Sequence, residues 1–119
     1  MPKVESFKQL DVWQQAVDLA AGVYELTRTF PAAEQFGLTA QMRRASVSVA
    51  SNIAVGHRRS RPAYINHVQI ALGSLAELET QLILAERLRM CKEAEAEPVH
   101  QNIARAGKMM HSLLRSLRE

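Results

Sequence analysis

Two adjacent arginine pairs, Arg43-Arg44 and Arg58-Arg59, with Arg61 just beyond, are the residues of this chain best suited to chemistry. A guanidinium is planar, permanently charged and presents forked donors that match phosphate oxygens, and neighbouring pairs multiply that capacity. From Arg28 to Ile70 six arginines stand against a single acid, Glu34, although the formal net charge of the whole chain is only +3. The positive charge is therefore concentrated. That pattern predicts salt-sensitive, sequence-tolerant binding of RNA or DNA through Arg43, Arg44, Arg58, Arg59 and Arg61, with Arg28, Lys108 and Arg115 as weaker contacts. The same residues also read as a solvated face, or as partners of Glu77, Glu79 or Glu86 across subunits. With one Trp, two Tyr and three Phe and no stacking motif, base-specific recognition is not indicated.

Other chemistries find little to work with. His100 and His111 share a face of one helix, but eleven residues separate them by about 16 Å, too far for one metal ion. Cys91 is the single cysteine; it cannot form an internal disulfide, fits a reducing cytoplasm, and has no histidine beside it to act as a base. There is no G-x-S-x-G, and Gly107-Lys108 inside a helical pattern is not a phosphate-cradling loop. Glu77 and Glu79, two apart, point to different faces. The expectation is a non-enzyme with no metal and no cofactor.

The elements that must position the arginines are helical. A chain of 119 residues with 47% hydrophobic and 23% charged residues, five Gly and four Pro is long enough for one domain, taken as residues 1–119, with a core of its own. The start, MPKVESF, lacks a signal segment, and no run of about 18 apolar residues suggests a membrane span. Asp11 and Gln14 fit a capping box opening a first helix, in which Val12, Ala16, Leu19, Val23, Leu26 and Phe30 form the stripe. Trp13 and Tyr24 read as core anchors with a polar tip at the rim. Pro31 ends this helix.

The second helix runs from Glu34 or Leu38 to His57. Its inner stripe is Leu38, Met42, Ala45, Val49, Asn52 or Ile53, and Gly56, with Gly56 suited to a left-handed helix end. Val47, Ala50 and Ala54 fall on another side, where small residues suit close approach by a further helix. Ser60 caps, and Pro62 opens, a third helix reaching about Arg89. That helix carries Tyr64, Val68, Ala71, Leu75, Leu78, Leu82 and Ala85, with a second stripe of Ile65, Leu72, Ala76 and Ile83 about 100° away. Pro98 either separates an acidic connector from the last helix or lies in its first turn. Val99, Ile103, Ala106, Met110, Leu113 and Leu117 follow. The sum is an all-α, antiparallel up-down four-helix bundle. Its two extra apolar faces, Val47, Ala50 and Ala54 on one helix and Ile65, Leu72, Ala76 and Ile83 on the next, predict a homo-oligomer.

The string FGLTAQMRRA, followed by SNIA and then IALGSLAELETQL, resembles the proteins encoded in intervening sequences of bacterial large-subunit ribosomal RNA genes. Relatives of that family accompany reverse transcriptases of diversity-generating retroelements. The resemblance, which extends over nearly the whole chain, implies a ring of five subunits with a positive surface for RNA or DNA. It also implies an alternative role, as an adaptor docking an acidic partner such as a reverse transcriptase. In one respect this chain departs from the pattern: Val55 stands where the family usually has an acid, so the resemblance does not carry that acid's role.

Overall fold

Four runs of apolar residues at three- and four-residue spacing become four helices in the computed structural model, which describes residues 6–119. They are α1 (Asp11–Thr27), α2 (Leu38–His57), α3 (Arg61–Arg87) and α4 (Glu93–Arg118), with single 3-10 turns at Phe7–Gln9 and Ala32–Glu34. Among the described residues there is no strand. The first residues of MPKVESF, read above for a signal segment, lie outside the described part. Helix α1 packs on α2, α2 on α3, α3 on α4, and α4 back on α1, around one shared core. The pairing of Ser48 with Ser74 and of Asn52 with His67 makes α2 and α3 antiparallel, because one number rises as the other falls. Short connections set the rest as an up-down four-helix bundle, 47 Å long.

The core is the predicted one along α2 and α3. Met42, Val49, Ile53, Val68, Leu78 and Leu82 are fully buried, with Leu19 and Val23 from α1 and Met110 from α4. At position 52 or 53 the buried residue is Ile53, while Asn52 turns to His67. In α4 the stripe ends on Leu114, not Leu113, since the last step is four residues rather than three.

Helix ends depart from the sequence reading at three places. The capping box lies one turn earlier than expected: Ser6 Oγ accepts from the Lys8 amide and Gln9 Oε1 accepts from the Ser6 amide. Asp11 is then simply an acid in the first turn of α1, where it complements the positive helix start. Gln14 instead donates to the Lys8 carbonyl at 3.0 Å.

The acidic segment before Pro98 is not a connector but the opening of α4, which starts at Glu93. Glu95 Oε1 accepts from the Lys92 amide at 2.8 Å, satisfying a donor before the helix. Pro98 sits so near the helix start that it removes only one early backbone bond.

Gly56 is the third departure. No glycine here has positive φ; the left-handed cap is Arg89, at φ 60°, after α3. Gly56 remains helical and buried because α3 presses on it. A Cβ there would lie 2.8 Å from the His67 Cβ and 2.9 Å from the Tyr64 Cδ1. Helix propensity alone would make Gly56→Ala stabilising by up to about 1 kcal/mol. The close contact reverses the sign: a net loss of roughly 1–3 kcal/mol is expected in urea unfolding, and a gain would show that α2 and α3 can part at no cost.

Candidate functional site

Rotation of α2 decides where the arginines go. With Met42, Val49 and Ile53 turned into the core, 100° per residue carries Ala40, Val47, Ala54 and Arg58 to the opposite side, and Arg43 and Arg44 to its two margins. Arg44, Arg58, Arg59 and Arg61 are exposed, and Arg43 is half-buried. The five do not gather into one patch. The 43–44 and 58–59 pairs are separated by fifteen residues of helix, about 22 Å of rise, and form two positive clusters along one side of the bundle.

The five arginines also differ in how far the chain itself uses them. Arg43 Nε donates to Thr27 Oγ1 at 2.9 Å, and its guanidinium lies 4.6 Å over the Tyr24 ring. Thr27 is buried and donates in turn to the Val23 carbonyl at 2.8 Å, so Arg43 ties α2 to the end of α1. Arg58 lies 5.8 Å over Phe7. Arg44, Arg59 and Arg61 make no side-chain hydrogen bond or ion pair among the described residues. Among the described residues Arg28 pairs with Glu25 at 3.1 Å, and His100 Nε2 is hydrogen-bonded to Glu86 Oε1 at 2.5 Å. Arg28 therefore serves its own helix, and Glu86 is engaged within the chain.

The residues read as a subunit face divide likewise. Ala50, Ile65 and Leu72 are half-buried and pack on the chain's own core, and Ala54 is half-buried. Val47 (43%) and Ile83 (47%) are exposed, as is Ala76. Leu72 and Ala76 line a shallow groove of about 250 Å³ with Ala104, Gly107 and His111 between α3 and α4.

Two aromatic residues behave differently from expectation. Tyr24 is not a core anchor: it is 43% exposed and carries Arg43 on its face. Phe36, which the sequence reading left without a role, is 88% exposed. Its place outside the three- and four-residue apolar stripe that opens at Leu38 was the available signal. Trp13 is half-buried with its ring edge against Phe7 at 5.2 Å.

The groups able to do covalent or metal chemistry stay apart. Cys91 is half-buried in the α3–α4 turn, where burial first, and then the Glu86 and Glu95 carboxylates, push its thiol above the usual range. That favours the protonated, unreactive form. Burial likewise raises the Tyr64 phenol. The sequence does contain one Glu-x-x-His, Glu97 and His100, but Glu97 is exposed and accepts from Gln101, while His100 turns to Glu86. Among the described residues no three His, Cys, Asp or Glu side chains converge. Helix α3 has the length and composition of a membrane span, a test that a bundle's core helix also passes; its Tyr64-to-Ala85 stripe is covered by the bundle.

Comparison with known proteins places this geometry among relatives. Residues 8–112 match the family described as 23S rRNA-intervening sequence protein. The fold is similar to that of a crystal structure from Bacteroides thetaiotaomicron, a protein of unknown function from the S23 ribosomal protein family. The two share 22% identity at a TM-score of 0.78, over 87% of this chain and 97% of the other. No curated protein matches the chain.

The division among the arginines is measurable by stability. Arg43→Ala leaves the buried Thr27 hydroxyl without its donor and uncovers Tyr24, and is expected to cost about 1–2 kcal/mol in urea unfolding. Arg44→Ala should stay within about 0.5 kcal/mol of the parent. Equal effects would mean that the Thr27 contact contributes nothing.

Proposed function

The chain belongs to the 23S rRNA-intervening sequence protein family, and from that membership we propose a non-enzymatic, self-associating protein whose arginine-bearing side binds nucleic acid without sequence specificity. The observation that carries the reading is the set Arg44, Arg59 and Arg61: exposed cations without an ion pair among the described residues. An external polyanion therefore gains most of its Coulomb attraction without breaking an ion pair seen there. Val55 adds to this. An acid at that position would stand three residues before Arg58, which caps the end of α2, within reach of an ion pair; the valine is 41% exposed and offers no such charge.

Self-association rests on Val47 and Ile83, exposed β-branched residues on the outer sides of α2 and α3, with Ala54 and Ala76 beside them. Ala50, Ile65 and Leu72 support these faces from beneath. A head-to-tail contact between two unlike faces closes a ring, and five subunits is the number that the resemblance implies. Such a ring repeats the two positive clusters around one assembly in the cytoplasm, which strengthens binding to a long polyanion by multivalency.

With four or five phosphate contacts, affinity for a 30-nucleotide single strand of RNA or DNA is expected to fall roughly fifty- to a hundredfold between about 50 and 200 mM salt. Arg58→Ala/Arg59→Ala should flatten that salt dependence by about two contacts, and Val55→Glu should weaken binding in the same direction. Binding that is absent at low salt, or indifferent to all three changes, rejects the nucleic-acid reading. Co-purification of an acidic protein that survives nuclease treatment would point to the adaptor role instead. Val47→Glu and Ile83→Glu should each lower the mass seen by light scattering with helix content intact; an unchanged mass removes those faces from the assembly.

A further inference from the structure

Phe36 is the most exposed of the large apolar side chains among the described residues, at 88%. It borders a groove of about 640 Å³ shared with Tyr24, Ala40, Arg43, Arg44 and Val47. Aromatic rings and guanidinium groups thus meet in one concave site on the positive side of the bundle. The acids nearest in sequence are engaged elsewhere: Glu34 Oε1 accepts from the Leu38 amide at 3.0 Å, and Glu25 holds Arg28. No carboxylate lines the groove to satisfy Arg44.

Phe36 is also held in place rather than left on a loose loop. The Gly37 amide donates to the Glu34 carbonyl at 3.0 Å, and a Cβ at Gly37 would lie 2.7 Å from Glu34 Oε1. The turn therefore needs glycine so that Glu34 can cap α2, and it fixes the residue before it. The turn orders the Phe36 backbone in advance, so that only the side-chain rotamer is left to fix when something stacks on the ring.

We propose that this groove takes an unpaired nucleotide of single-stranded nucleic acid, its base stacked on Phe36 and its phosphate held by Arg44 and the outer edge of Arg43. This rests on the nucleic-acid reading above and adds a preference for single strands. A nucleotide supplies a π-face and an anion together, which are the two things the groove lacks. A duplex keeps its bases stacked on one another and offers Phe36 only backbone. The apolar wall at Ala40 suits the remaining face of a base or sugar.

The test compares a twelve-nucleotide oligothymidylate with a twelve-base-pair duplex by fluorescence anisotropy at a single low salt concentration. The parent protein should favour the single strand, and Phe36→Ala should lower single-strand affinity by roughly tenfold with duplex affinity unchanged. In a Trp13→Phe/Phe36→Trp variant the indole emission should be quenched by the single strand and not by the duplex. Arg44→Ala should weaken both ligands. Equal affinity for the two ligands with no effect of Phe36→Ala overturns this proposal while leaving general nucleic-acid binding standing. No binding of either overturns both. A change in mass on Phe36→Ala, with single-strand affinity unaltered, assigns the groove to a second copy of the chain and also overturns it.

Discussion

The close approach of α2 and α3 is the constraint on which the rest of this structure depends. At one end it is made possible by the missing side chain of Gly56, against which Tyr64 and His67 pack. Further along, the same interface carries a polar ladder: His67 Nδ1 meets Asn52 Oδ1 at 2.9 Å, Asn52 Nδ2 donates to the Ser48 carbonyl at 2.9 Å, and Ser48 meets Ser74 at 2.9 Å. Hydrogen bonds of this kind add little net stability but are costly to leave unmade. They therefore fix register and rotation, where apolar contacts alone would tolerate a slip. The α2 rotation that follows turns Val47 away from the core and sets Arg43 and Arg44 beside it.

Two uses of arginine coexist on that helix. Arg43 closes the α1–α2 corner by satisfying Thr27 and covering Tyr24, work that any bundle needs at a helix end. Its neighbour Arg44, one residue on, is rotated by 100° and does nothing for the fold. The same contrast separates Arg28, held by Glu25, from Arg59 and Arg61. A cation that stabilises nothing within its own chain is tolerated because a surface charge costs little in water, and it is then available to a polyanion. Position along the helix, not arginine content, distinguishes the two.

The acids at the α3–α4 turn have partners within the chain. Glu86 binds His100 and Glu95 caps α4, and both add to the burial that raises the Cys91 thiol. Acids here are spent on helix ends and on a histidine, so the positive α2 side is not neutralised from within the chain.

Periodicity determined the four helices, most of the buried stripe from Val12 to Met110, and the outward placement of Val47 and Ile83. These depend on 3.6-residue geometry and on water's rejection of apolar surface, both of which act locally in the sequence. Tertiary structure alone decided the rest. Gly56 serves packing rather than a turn because only the neighbouring helix reveals the 2.8 Å approach. The opening of α4 ahead of Pro98, the tie between Arg43 and Thr27, and the meeting of Phe36 with Arg44 join residues that no spacing rule pairs. Distance in the sequence carries no information about such contacts until two helices are set side by side at a fixed rotation.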